Sequence, residues 1–372
     1  MFSKEEVNTG RQIEFDYMKG LFIPMILLIH AFQVTGGALV PVNGYKVLYT
    51  IATMTGSAIF MFVLGLGTTY SRRTNRQMVQ SGVKMLIYEL VWNVLAMGLP
   101  TVLGQLLRGM FGLETAWDFT WEQMPILLQY INVFFIAGIS YFLLAFLRWV
   151  GTPVWVYFAL TLLFIFVNPF LYMEGKSTGF AVADYVLTMF AGGRPEVSLI
   201  CLAHFPYVLL GAGFGRLLRK TADKTRLYKT IAIPAAAIVV VYFLRTFRTY
   251  EGLDALYQYS SDGYVYPDTL RALANCCCVL LMAGALYGLR NWIAKQKLLH
   301  RLLIHLNKET TPYYAIHPFF YGLCYSLALY VPFSAMACVV LTPVVWVLCF
   351  AVIIVWKRLQ ERWGGRCRMT AT

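Results

Sequence analysis

Ten stretches of about twenty predominantly apolar residues recur along the chain, near 16–39, 48–70, 84–107, 125–147, 153–172, 198–217, 230–248, 269–289, 309–330 and 335–356. Stretches of that length match the hydrocarbon thickness of a bilayer. Inside lipid every backbone N–H and C=O must be satisfied within the protein, so repeated spans of this kind commit the chain to helices. The expected fold is all-α: a polytopic integral membrane protein with about ten transmembrane helices in one bundle. Composition agrees, because 59% of the 372 residues are hydrophobic and only 13% are charged, where a soluble domain carries about a quarter charged. No linker interrupts the spans, so residues 1–372 read as a single domain, with 1–15 a polar N-terminal segment and 357–372 a basic tail. The first fifteen residues carry Glu5, Glu6, Arg11 and Glu14, and the apolar run after them exceeds a signal-peptide core, so no cleavable leader is expected.

The formal net charge of +13 invites a nucleic-acid reading, but its distribution argues against one. With the N-terminus cytoplasmic, 23 of the 31 Lys and Arg residues fall in the inside segments and 6 in the outside loops, with Lys19 and Arg271 inside spans. That asymmetry is the positive-inside pattern. It places both termini in the cytoplasm and makes the lipid bilayer, not nucleic acid, the partner of most of the basic surplus. The longest outside pieces, Met173–Val197 and Thr246–Asp268, are candidates for lids or interfacial helices.

Ionisable residues inside a span are expensive and mark function by default. The first span carries Lys19 and His30, eleven residues apart; at about 100° per residue they share one face, roughly 16 Å apart along the axis. A neutral imidazole can take a proton from a hydroxyl or amine nucleophile near neutral pH. Asp16 lies three residues before Lys19, in position to pair with it. A second membrane histidine, His317, sits in Tyr313-Tyr314-Ala315-Ile316-His317-Pro318. Tyr313 precedes it at i+4 spacing, which lets phenol and imidazole share a face, and Pro318 removes a helical donor beside it. The run Arg72-Arg73-Thr74-Asn75-Arg76 offers three guanidinium groups that can clamp phosphates or simply anchor the helix end. Glu89 and Asn93, at i and i+4 on the third span, make a polar face that wants a cation, a donor or substrate hydroxyls.

Seven of the eight cysteines lie in spans and the eighth, Cys367, in the basic tail, so no disulfide framework is implied. Cys276-Cys277-Cys278 cannot converge on one ion from consecutive helical positions, and no metal site is expected. Walker, GxGxxG, GxSxG, HExxH and paired CxxC motifs are missing, which excludes nucleotide hydrolysis, zinc proteolysis and serine-hydrolase chemistry of those kinds. A proton-coupled transporter or flippase using Lys19, His30, Glu89 and His317 as a relay is the rival reading. The lack of a visible inverted repeat weighs against it.

The pattern Lys19-x10-His30 within FDYMKGLFIPMILLIH resembles the opening of the acyltransferase 3 family of membrane-bound acyltransferases, where arginine is commoner at the first position. FMFVLGLGTTYSRR is similar to the second helix of the related heparan-α-glucosaminide N-acetyltransferase-like proteins, and Arg73-x-x-Arg76 fits acyltransferase 3 members. HFPYVLLGAGFGR (204–216) and YYAIHP (313–318) resemble the superfamily's mid-chain and late elements. The resemblance implies an O- or N-acetyltransferase of the cell membrane, in bacteria the cytoplasmic membrane. It would take an acyl group, usually acetyl, from cytoplasmic acetyl-CoA as co-substrate, with no permanently bound cofactor, and pass it to a hydroxyl or amine of a carbohydrate or surface glycan. It also implies His30 as the essential histidine, with Lys19 its basic partner and Arg72, Arg73 and Arg76 as candidates for the coenzyme A phosphates; His30 would then act as general base in direct transfer, the preferred reading, or as an acyl carrier.

Overall fold

A computed structural model describes the chain except for residues 40–41, 115–119, 124–129, 173–176, 194–198, 266 and 370–372. Among the described residues every extended element is helical. The helices are α1 (Ile13–Val34), α2 (Asn43–Tyr70), α3 (Asn75–Trp92), α4 (Leu99–Phe111), α5 (Val133–Trp149), α6 (Val154–Leu171), α7 (Ala181–Ala191), α8 (Cys201–Arg219), α9 (Lys224–Thr249), α10 (Gly252–Val265), α11 (Thr269–Lys295), α12 (Lys297–Lys308), α13 (Thr310–Leu327) and α14 (Ala335–Met369). Eight are long and apolar enough to cross a membrane, with α3 and α4 counted as one continuous segment, Asn75–Phe111. The other two expected spans fall on α5, which is apolar but has 17 residues, and on α13, which carries four tyrosines and His317 in 18 residues. The sequence missed α12 as an element: its apolar spacing is amphipathic, with Leu303 and Leu306 buried while Leu298 stays exposed.

Helix α8 is the centre of the bundle, with 83% of its most apolar window buried, against 17% for α6 and 22% for α9. The outer helices therefore present side chains such as Phe170 and Ile233 to the lipid. What lets α8 sit so deep is glycine. A Cβ on Gly211 would lie 1.9 Å from the Phe62 carbonyl oxygen, and one on Gly65 of α2 would lie 1.9 Å from that of Val208. The backbones of α2 and α8 thus touch, as small residues allow at membrane-helix interfaces. Helix α1 is held at its start by Glu14, which is buried, ion-paired to Lys224 and hydrogen-bonded by the Tyr228 hydroxyl at 3.0 Å. Gly20 lets α12 close against α1, because a Cβ there would meet the Leu303 carbonyl at 2.3 Å. The N-terminal segment runs back along the α8–α9 turn, with the Ser3 and Val7 amides donating to the Lys220 and Arg219 carbonyls at 2.8 Å.

Between α3 and α4 the backbone widens into one π-helical turn, Asn93–Gly98, with Pro100 two residues past its end. Such turns displace side chains from the regular register and occur often where a helix borders a site. Of the two segments expected to lie outside, 173–197 and 246–268, α7 and α10 supply helical portions, whereas residues 173–176, 194–198 and 266 fall outside the described residues.

Candidate functional site

Two cavities of comparable size lie end to end inside the bundle. One, of about 520 Å³, is lined by Asp16, Lys19, Arg73, Asn307 and Thr311 among others; the second, of about 550 Å³, is lined by His30, Gln33, Ser57, Trp92, Asn132 and Tyr330 among others. Phe60, Val133 and Tyr314 line both. Helices α1 and α13 run from the first cavity into the second, whereas α2 and α5 run the other way. On α1 the first cavity takes residues 16 and 19 and the second residues 26–34; on α13 the first takes Thr310 and Thr311 and the second Pro318 and Gly322. The charged side chains lining this pair of cavities sit in the first, whereas the second offers aromatic rings and neutral polar groups, apart from what His30 can acquire.

His30 and His317 meet across α1 and α13, with His30 Nδ1 and His317 Nε2 2.9 Å apart and ring centroids 4.9 Å apart. The tautomers follow from the partners. His317 Nδ1 lies 2.7 Å from the Tyr313 carbonyl oxygen, one turn earlier on its own helix. A carbonyl can only accept, so His317 Nδ1 carries the proton and its Nε2 offers a lone pair. His30 must then donate from Nδ1, which leaves its own Nε2 as a bare acceptor in a residue that lines the second cavity. His317, fully buried, thereby fixes both the orientation and the basic nitrogen of His30.

Several residues sit otherwise than the sequence spacing suggests. Tyr313 does not share its phenol with His317; its hydroxyl accepts from the Trp346 indole at 3.2 Å on α14, and only its carbonyl meets the imidazole. The neighbour Tyr314 takes the site position instead, with its ring against His30 and His317 at centroid distances of 6.2 and 5.9 Å. Asp16 does not ion-pair with Lys19: it pairs with Arg11 and accepts from the Asn307 amide at 2.7 Å, leaving Lys19 on the cavity wall. Of the three arginines, Arg73 lines the first cavity. Arg72 and Arg76 are exposed beside it at the start of α3, where Thr74 and Gln77 form a capping box. Glu89 is buried and accepts from the backbone amides of Asn132 and Phe135 at 2.8 and 3.2 Å, so both its oxygens cap α5. Asn93 donates to the Tyr130 carbonyl at 2.8 Å, just ahead of that cap. Neither residue is among those lining either cavity.

A histidine that the sequence reading passed over, His204, repeats the arrangement of His317. Its Nδ1 is 2.8 Å from the Ile200 carbonyl and its Nε2 is 3.1 Å from the Ser57 hydroxyl, itself on the wall of the second cavity. The His-Phe-Pro run that carries it offered the signal, since it too is an ionisable residue within an apolar span. Among the described residues no three His, Cys, Asp or Glu side chains gather as metal ligands do.

The family model for acyltransferase 3, an acyltransferase domain, matches residues 12–356, and the chain belongs to that family. No curated protein and no solved structure matches the chain.

Proposed function

We propose that this membrane acyltransferase moves an acyl group, acetyl by preference, from acyl-CoA in the first cavity to a hydroxyl or amine in the second, with His30 as general base. The observation that carries this reading is the junction itself: two cavities of unlike chemistry share only a few wall residues, and His30, whose Nε2 is left as an acceptor, lines the second. The donor's phosphates fit the cationic mouth made by Lys19, Arg73 and the neighbouring Arg72 and Arg76, with Asp16 kept neutralised by Arg11. A pantetheine arm is comparable in length to the roughly 16 Å between Lys19 and His30, which brings the thioester to the junction. In the second cavity an acceptor hydroxyl gives its proton to His30 Nε2 as its oxygen attacks the thioester carbonyl. The positive charge then forming on His30 is met by the lone pair its partner presents, because His317 is held as an acceptor. Lys19, whose charge lies three turns from the reacting atoms, acts in donor binding. Aromatic walls and neutral polar groups suit a carbohydrate, whose ring faces are apolar and whose edges are hydroxyls.

The proton-carrier reading requires Glu89 to exchange protons with the histidines, yet Glu89 spends both oxygens on backbone amides of α5. The test is coenzyme A thiol release from acetyl-CoA by membrane vesicles of cells expressing the protein, compared with the His30→Ala variant. His30→Ala is expected to lose at least 10²-fold in rate, the usual contribution of a positioned general base, while inserting and folding normally. Full activity in that variant sinks the assignment; pH-driven flux without acetyl-CoA consumption favours the carrier.

A further inference from the structure

If His30 is the base, the acyl carbonyl also needs somewhere to put the charge that develops on its oxygen. Two buried side-chain donors on the wall of the second cavity have no hydrogen-bond partner among the described residues: the Trp92 indole Nε1 and the Asn132 amide Nδ2. A buried donor left unpaired costs free energy that evolution rarely leaves standing without a use. Asn132 has no freedom to turn its amide round. Its Oδ1 accepts from the Phe134 backbone amide at 2.9 Å, and its own backbone N–H is held by Glu89 at 2.8 Å, so Nδ2 is the end left over. Trp92 is fixed by stacking on Tyr130 at a centroid distance of 6.5 Å and by the start of the π turn.

The two donors are also in the right neighbourhood. Trp92, Phe134 and Tyr314 belong to one packed cluster, and Tyr314 touches both Phe134, at 5.4 Å between centroids, and His30. Asn132 immediately precedes Val133, one of the residues shared by both cavities. The base and the unpaired donors therefore flank the same junction.

We propose that Trp92 Nε1–H and Asn132 Nδ2–H form the oxyanion site of this enzyme, receiving the oxygen of the thioester carbonyl; the proposal rests on the acyl-transfer reading above. The acceptor oxygen bonds to the carbonyl carbon and its proton passes to His30 Nε2, while the carbonyl π pair moves onto the oxygen facing the two N–H groups. That pair then returns, the carbon–sulfur bond breaks, and the thiolate leaves with the proton from His30 as free coenzyme A thiol. Donors aimed at charge that exists only in the transition state raise kcat and leave ground-state binding alone. Glu89 is then a positioning residue, holding the Asn132 backbone so that the amide faces the junction.

The test uses Trp92→Phe, which keeps the stack on Tyr130, and Asn132→Ser, which keeps an equally good helix cap but removes the amide donor. Thiol release from acetyl-CoA by vesicles of each full-length variant is expected to show kcat lowered by about 10²-fold for Asn132→Ser and about 10-fold or more for Trp92→Phe, with KM for acetyl-CoA unchanged. A kcat within twofold of the parent in both variants, or a loss that appears in KM instead, overturns the proposal. Should Asn132→Ser not accumulate as folded protein, Trp92→Phe decides alone. His30→Ala run alongside separates the two readings: an inactive His30→Ala with fully active donor variants sinks only the oxyanion site, and an active His30→Ala with impaired donor variants supports the site and sinks only the base.

Discussion

One hydrogen bond decides which nitrogen of His30 is left as an acceptor. Because the Tyr313 carbonyl holds the proton on His317 Nδ1 and His317 Nε2 accepts from His30, replacing His317 acts through the tautomer of its neighbour rather than through lost contact with substrate. His317→Phe is expected to lower kcat by about 10²-fold with little change in KM, the behaviour of a removed orienting group for a general base. His317→Gln, whose amide oxygen can still accept from His30 Nδ1, is expected to recover much of that loss. Equal kcat in both variants and the parent would return His317 to simple packing. The sequence made both histidines legible as costly groups in apolar spans, and it made their spacing from the span ends legible too. What it could not give was azimuth. Tyr313 and Tyr314 differ by one residue, hence by about 100° around the helix, and only the packing of α13 against α1 and α14 turns the second toward the junction and the first toward Trp346. Asp16 illustrates the same limit: an i, i+3 partner was available in Lys19, but Arg11 and Asn307 come from outside the local helical register.

Helices here are positioned by a few contacts that carry large penalties when removed. Glu89 satisfies two buried backbone donors at the start of α5, a helix whose N-terminus lies inside the bundle at the cavity junction. A helix end in that position needs internal acceptors, which the Glu89 carboxylate supplies to Asn132 and Phe135 and the Asn132 Oδ1 to Phe134. Glu89→Ala is expected to destabilise the protein by about 2–5 kcal/mol, from two N–H groups left without partners, and Glu89→Gln by less, since one oxygen remains. Thermal unfolding in detergent measures both, and an unchanged midpoint for Glu89→Ala removes Glu89 from its capping role. Gly211→Ala offers a second check, because its Cβ would meet the Phe62 carbonyl at 1.9 Å and push α8 from α2; a loss of folded protein is expected, read as the yield of the monodisperse detergent-solubilised species. The elements themselves were legible wherever twenty apolar residues ran together, and less so elsewhere. The amphipathic α12 falls below the apolarity that marks a span, the span read at 125–147 is a 17-residue helix, Val133–Trp149, and the π turn at Asn93–Gly98 has no strong sequence signature beyond Pro100.

Across the whole molecule the distribution of charge and the distribution of cavities say the same thing. Lys and Arg residues concentrate at the ends of the spans that share a side with Lys19, and the cavity on that side is the one with Asp16, Lys19 and Arg73 on its wall. The charge asymmetry could be counted along the chain, but the meeting of two cavities at Phe60, Val133 and Tyr314 could not, because it depends on two helices and the start of a third arriving at one level. A bilayer separates the aqueous phases at the two ends, and positive-inside sorting predicts the basic end on the cytoplasmic side. Acetyl-CoA carries several phosphate charges and does not cross lipid unaided. If the basic cavity is the donor's, acetyl-CoA supplied to sealed inverted vesicles meets its site directly, whereas sealed right-side-out vesicles exclude it. Thiol release is therefore expected from inverted vesicles and at least 10-fold slower from right-side-out ones, with permeabilisation restoring the second to the rate of the first. Arg73→Gln in the inverted vesicles is expected to raise KM for acetyl-CoA by about 10-fold, equivalent to about 1.4 kcal/mol of lost charge-assisted binding, and to do so more than Arg76→Gln, whose side chain stands outside the cavity wall. Faster release from right-side-out than from inverted vesicles before permeabilisation would put the donor on the other side, and the direction of acyl transfer through the junction would have to be reversed.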